Sequence, residues 1–379
     1  MPARIKSKAN PEVLKWARKN ARLSLEDAAR RAGVTSEALG EWENGADAPS
    51  IPQLRKLGEI YRRPIVVFYL PHPPLGFDPL RDFRRLATGT PEESPELAGE
   101  IRWAHEMREA ALEAFRSIGV EFHQWTLVAT TSEAVEDVGA RITDALGVTR
   151  KNREDWKSAY EAYGGWRAAI ERLGALCFQV TGIDVDEARG FSIGLHPCPV
   201  IAVNAADAPT ARIFTLLHEL THISLGAAGK CDLHERDRGQ ASRDSVEVYC
   251  NAVAAEVLVP AAQFRAEPSL RGVRAPRAWD DEVVAEFANK YRVSREVILR
   301  RLLQLGFATG DFYRTKRDEL KQEKDKPGGG NYYNNMRTKL GVPLIQGVLD
   351  AWNLGKLTAN EAAGYLRVKV ESLSRLLVT

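Results

Sequence analysis

The chain has 379 residues, 44% of them hydrophobic and 27% charged, with 53 Lys and Arg against 51 Asp and Glu for a net charge of +2. That is the make-up of two or three ordinary globular domains with ample core, and the overall charge says little about partners. No apolar run approaches the ~18 residues of a membrane span. The first residues lack an apolar targeting core, and four cysteines (Cys177, Cys198, Cys231, Cys250) are too few for a disulfide framework, so the cytoplasm is the expected location.

Residues 9–66 read as short helices. Val13–Ala21 is followed by Leu25–Ala32, a turn at Gly33, Ser36–Asn44, Gly45 and Ile51–Tyr61. Ser24 and Thr35 occupy N-cap positions, Gly33 suits a tight turn, and Gly45 suits a C-cap. Ala28, Ala29, Val34, Leu39 and Trp42 form the apolar seam of a helix-turn-helix. The stretch, with its closing Trp42-Glu43-Asn44-Gly45, resembles the Xre/Cro-type repressor DNA-binding domain. That resemblance implies double-stranded DNA as a partner, read by the outer residues of the second helix of the motif, here Ser36, Glu37, Gly40 and Glu41. Two carboxylates there are repulsive to phosphate, although a carboxylate can accept from cytosine. Residues 1–63 nevertheless carry 13 Lys and Arg against 8 Asp and Glu, a balance of +5. Arg30 and Arg31 are the candidate backbone contacts. The competing reading is a protein-docking module that keeps only the shape.

Residues 71–95 form a Pro-rich connector that also holds Asp82-Phe83-Arg84. An amphipathic helix is expected over 96–117, and further helices over 132–146 and 154–173. Trp103, Trp125, Trp156, Tyr160, Tyr163 and Trp166 are expected in the core. Short strands follow at Ala175–Val180, Gly190–Leu195 and Val200–Val203.

The stretch Arg212-Ile213-Phe214-Thr215-Leu216-Leu217-His218-Glu219-Leu220-Thr221-His222 holds an H-E-x-x-H pattern in a helical run. Residues four apart share a helix face, so His218 and His222 can offer ring nitrogens to one metal ion. Glu219 sits about 100° round the helix, placed to hold the metal's water as a base without binding the metal. Two imidazoles, an open position and a carboxylate beside the water are what a zinc protease needs. A third ligand is expected from the helix at 241–258. Glu247 and Asn251 share one face of it, Glu256 points about 180° away, and Asp244 is the rival, about 60° off the same face. Glu247 is the expected ligand.

Together with Val200-Ile201-Ala202-Val203-Asn204 and Glu247-x-x-x-Asn251-x-x-Ala254-Ala255-Glu256-x-Leu258-x-Pro260, these blocks resemble the ImmA/IrrE family of metallo-endopeptidases over roughly 175–265. The resemblance implies Zn2+ on His218, His222 and Glu247, with Glu219 as general base. It also implies a narrow protein substrate, a repressor whose cleavage switches genes on under stress or phage induction. The chain departs from the family at Val253 and Val259, where Phe and Met are usual. Both changes are apolar and leave the chemistry intact.

The loop 226–240 contains Cys231 and His234. Cys231-x-x-His234 has no matching half-site and reads as solvated loop, with His234 a candidate donor to the developing oxyanion. Two helices over 279–306 are expected to pack against the peptidase core. Residues 311–331 read as a charged and then Gly-rich linker, and 332–379 as a C-terminal helical, helix-turn-helix-like element.

The expected fold is therefore mainly α with a small α+β part. A helix-turn-helix bundle over 1–70 and the connector at 71–95 precede a zincin-like domain over 96–310, the linker and the C-terminal element. The function expected is a zinc-dependent endopeptidase that cleaves a specific repressor. The alternative is a DNA-binding regulator or antitoxin-type protein that uses its peptidase-like domain for sensing or partner binding. A homodimer is compatible with either.

Overall fold

The computed structural model describes residues 6–74, 94–122, 124–227, 240–322, 332–373 and 376, without the side chains of 227, 240–244, 321–322 and 332–335. Asp82-Phe83-Arg84, Cys231 and His234 lie outside the described residues. The chain divides into two compact units, Met1–Trp103 and Ala104–Thr379. The expectation of a mainly α fold with one small sheet is met. Among the described residues no helix is long and apolar enough to cross a membrane.

The first unit is built on α1 (Pro11–Asn20), α2 (Leu25–Ala32), α3 (Ser36–Asn44) and α4 (Ile51–Tyr61). The caps fall where the residue types demand them. Ser24 accepts from the Asp27 amide at 3.0 Å and Thr35 from the Ala38 amide at 3.2 Å, satisfying donors that the first turns leave unpaired. Gly33 and Gly45 both end their helices in the left-handed region. Ala28, Ala29, Leu39 and Trp42 meet Val13, Leu14, Leu54 and Leu57 in one core, with Val34 packed against it. Glu43 is buried by a fork-to-fork pair with Arg18 (2.7 and 2.9 Å), which ties α1 to α3.

The long helix α5 (Pro95–Ser117) leads from the first unit into the second. There follow α6 (Val135–Leu146), α7 (Arg150–Asp155), α8 (Ala159–Arg172), β1 (Leu176–Val180), β2 (Gly190–Ile193) and β3 (Val200–Asn204). The chain continues as α9 (Pro209–Ala227), α10 (Gln240–Leu258), α11 (Ala261–Arg265), α12 (Asp281–Tyr291), α13 (Arg295–Gln304) and α14 (Gly310–Gln322). It closes with α15 (Tyr332–Leu340), α16 (Val342–Asn353) and α17 (Ala359–Leu366).

The sheet order is β1-β3-β2, with β1 parallel and β2 antiparallel to β3. Central β3 is buried along its whole length, whereas β2 alternates between half-buried Gly190 and Ser192 and buried Phe191 and Ile193. That alternation is what an edge strand with one face on the core shows. The core of this unit joins Leu216, Leu217 and Leu220 of α9 to Val253, Ala254 and Leu258 of α10 and to Trp166 and Ile170 of α8. A buried Arg301–Glu256 ion pair links α13 to the end of α10, so Glu256 is committed to structure.

Two expectations need correcting. Residues 311–322, read as the start of a linker, are the helix α14, because Phe312, Tyr313 and Leu320 give it an apolar side that packs on the core. Tyr160, read as core, is 62% exposed, since its position in the first turn of α8 places its ring near the Arg212 guanidinium instead (5.9 Å). Trp103, Tyr163 and Trp166 are buried as expected, and Trp125 and Trp156 pack partly buried against the core.

The C-terminal helices cluster with this same unit. The buried Arg167 of α8 pairs with Glu171 at 2.9 Å and donates to the carbonyls of Cys177 in β1 and Thr338 in α15. Gly341, between α15 and α16, has φ +80°, and a Cβ there would come 2.7 Å from the Glu171 carboxylate. Only glycine satisfies both constraints.

Arg108 of α5 braces the β2–β3 connection, donating to the carbonyls of Leu195, Pro197 and Cys198 at 3.2, 2.7 and 3.0 Å. One turn away His105 is 3% exposed, and burial, helped by the Arg108 charge, lowers its pKa from 6.5 to about 4. The unfolded chain therefore takes up a proton that the folded chain refuses. Stability is complete above about pH 6.5 and is lost as the pH falls towards 4. The loss is about 2 kcal/mol by about pH 5. Urea unfolding of wild type and His105→Gln near neutral pH and near pH 5 checks this. The variant should lose less stability on acidification, and an unchanged loss would clear His105.

Candidate metal centre

The two histidines come from consecutive turns of α9, with ring centroids 4.7 Å apart and Nε2 atoms 3.1 Å apart. α10 brings Glu247 against both. One carboxylate oxygen lies 3.2 Å from His218 Nε2 and the other 3.2 Å from His222 Nε2. His218, His222 and Glu247 are the group of potential ligands that converges among the described residues. Tetrahedral zinc with bonds of 2.0–2.1 Å needs donors about 3.3 Å apart. The separation of the two ring nitrogens is close to that edge length, each histidine has a Glu247 oxygen at a similar distance, and the N,N,O donor set suits a metal that keeps one position open.

The electrostatics follow from this convergence. Burial opposes ionisation of Glu247, but hydrogen bonds from His218 and His222 outweigh it and hold the carboxylate far below its usual range. Burial also opposes protonation of His222, yet hydrogen bonds with the Cys250 sulfur and Glu247 raise its pKa well above an ordinary imidazole. A cation in place of the shared protons answers the same concentration of negative charge. On the other side Phe214, one turn before His218, stacks on its ring (centroids 6.4 Å, planes 28°), and the Arg300 guanidinium lies 5.6 Å over Phe214. His218 Nδ1 is buried without a hydrogen-bond partner among the described residues.

Glu219 stands apart from the ligand group. It is 3% exposed and accepts a hydrogen bond from Ser192 Oγ of β2 at 2.7 Å. Sequence reasoning missed Ser192. The one signal available was the period of β2, which puts Gly190 and Ser192 on the same face. The side chain of Asp244, the rival ligand, is not among those described.

The DNA-facing candidates lie on the first unit. Glu37 and Glu41 are exposed one turn apart on α3, while Ser36 and Gly40 are half-buried. Arg30 pairs with Asp27 of its own helix, and Arg31 pairs with Glu96 at 2.8 Å. Both arginines are thus already engaged by carboxylates that would compete with phosphate.

A small sheet with an antiparallel edge, packed on a helix that carries H-E-x-x-H and followed by a helix carrying an inward Glu, defines a domain of metallopeptidase type. Here it follows a helix-turn-helix bundle of the DNA-binding kind. Comparison with family models gives the particular kind. Residues 179–303 match a peptidase family described as the IrrE N-terminal-like domain, and residues 14–68 match the helix-turn-helix model. The chain is a helix-turn-helix domain joined to an ImmA/IrrE-like domain, as the sequence blocks indicated. The match runs on through α13, so these later helices belong with the peptidase domain. A comparison with curated proteins gives no match.

Proposed function

We propose that this chain is a cytoplasmic zinc-dependent endopeptidase that cleaves a specific protein, a transcriptional repressor, to change gene expression. The observation that carries this reading is the convergence of His218, His222 and Glu247 within 3.1–3.2 Å of one another, with the buried carboxylate of Glu219 on the same helix turn as His218. Zinc held there would supply Lewis acidity and a water with its pKa lowered towards ~7.

The chain's own groups do the rest. Glu219 takes the proton of the attacking water and returns it to the leaving amine. The face of β2 that carries Ser192 lies beside α9, and β2 has a single strand neighbour among the described residues. An extended substrate segment fits along that edge as an added strand, fixed by main-chain hydrogen bonds. A helix-turn-helix domain on the same chain supports a narrow target, because it brings the protease to the repressor's DNA site or grips the repressor itself.

The second reading is a DNA-binding regulator without proteolysis, and the match at residues 14–68 favours it. One experiment separates the two. The purified protein is assayed for zinc, for cleavage of a repressor encoded beside it, and for binding to its own promoter. About one zinc per chain and cleavage abolished by a chelator are expected. Promoter binding indifferent to chelator, with the repressor left intact, would overturn the peptidase reading.

A further inference from the structure

β2 and α9 touch through matching periods. Gly190 and Ser192 lie two apart on one face of the strand, a step of about 6.6–6.8 Å, and Thr215 and Glu219 lie four apart on the helix, a step of about 6 Å. At the first pair the approach is so close that a Cβ on Gly190 would come 2.5 Å from Thr215 Cγ2 and 2.6 Å from the Ala202 carbonyl. At the second pair the same approach delivers the Ser192 hydroxyl to Glu219 Oε2 at 2.7 Å. The β2–β3 connection behind this contact is held by the three hydrogen bonds from buried Arg108.

We infer that Ser192 is the positioning residue for Glu219, orienting the carboxylate that serves as base in the reading proposed above, on which this inference rests. A carboxylate only accepts hydrogen bonds, so the hydroxyl must donate, and a donor to a charged acceptor at this distance is a strong one. The bond takes Oε2. Oε1 has no hydrogen-bond partner among the described residues. A glutamate has three side-chain torsions to hold, and burial alone selects none of them. Ser192 holds Oε2, and with one oxygen fixed the other is left to take the water's proton. Because Ser192 sits on the strand that would carry the substrate, the same contact ties the position of the base to the position of the peptide.

The test uses full-length protein loaded with zinc and acetohydroxamic acid as probe, whose N-hydroxyl needs an acceptor where the attacking water would stand. Probe affinity by calorimetry and zinc per chain are measured for wild type, Ser192→Ala, Ser192→Thr and Glu219→Gln. Ser192→Ala is expected to weaken the probe about 10-fold, in the direction of Glu219→Gln, with zinc content unchanged. Ser192→Thr, which keeps the hydroxyl, is expected to stay within about 2-fold of wild type. Unchanged probe affinity in zinc-loaded Ser192→Ala overturns this inference alone. A wild type that takes up no zinc overturns the peptidase reading and this inference with it.

Discussion

Glu219→Gln is expected to leave zinc bound and the fold intact while lowering the rate of peptide hydrolysis by about 10²–10⁴-fold. The substitution is nearly isosteric. The Gln side chain keeps an oxygen that can accept from Ser192 Oγ, so the contact between β2 and α9 survives. What is lost is the basic oxygen. An amide cannot take a proton from the attacking water near neutral pH, nor hand one on to the departing amine. The His218, His222 and Glu247 triangle does not include Glu219, so metal content should be unchanged. Zinc analysis beside cleavage of the substrate protein, followed by mass spectrometry, checks both halves. Cleavage within about 10-fold of wild type would move the base elsewhere. Loss of zinc would mean that Glu219 also helps to hold the metal.

How much of this was legible depended on how local each contact is. His218 and His222 could be read because the helical period decides which residues share a face, and Glu247 because an acidic residue one helix downstream completes such a pair, with Asp244 left as its rival. The caps at Ser24 and Thr35 were legible because each is local, settled by a bond to the amide three residues on. Ser192 was not, because it meets Glu219 across 27 residues through a strand–helix approach that depends on the absent side chain at Gly190. α14 was misread because its apolar residues are sparse among charges, and only the core they meet makes them a face. The attachment of the C-terminal helices was hidden for another reason. It runs through a buried arginine, Arg167, and arginine in a helix is ordinarily read as a solvated residue.

Glu247→Ala is expected to reduce zinc affinity by more than about 100-fold. Loss of a group that merely orients a ligand already costs about 10–100-fold, and here a ligand itself is removed. The two imidazoles would remain 3.1 Å apart without the anion that now bridges them. The readout need not involve catalysis. A metal that binds only the folded state stabilises it, by about 4 kcal/mol at a thousandfold excess over the dissociation constant, so wild type should melt several degrees higher with zinc than with chelator. Glu247→Ala should lose most of that difference and keep a normal melt in chelator. Asp244→Ala is the control, because Asp244 lies one turn earlier on α10 and competes for the same role on helical geometry alone. If Asp244→Ala abolishes the zinc-dependent shift and Glu247→Ala preserves it, the third ligand is Asp244. The bridge that Glu247 makes between the two histidines would then be a feature of the metal-free protein only.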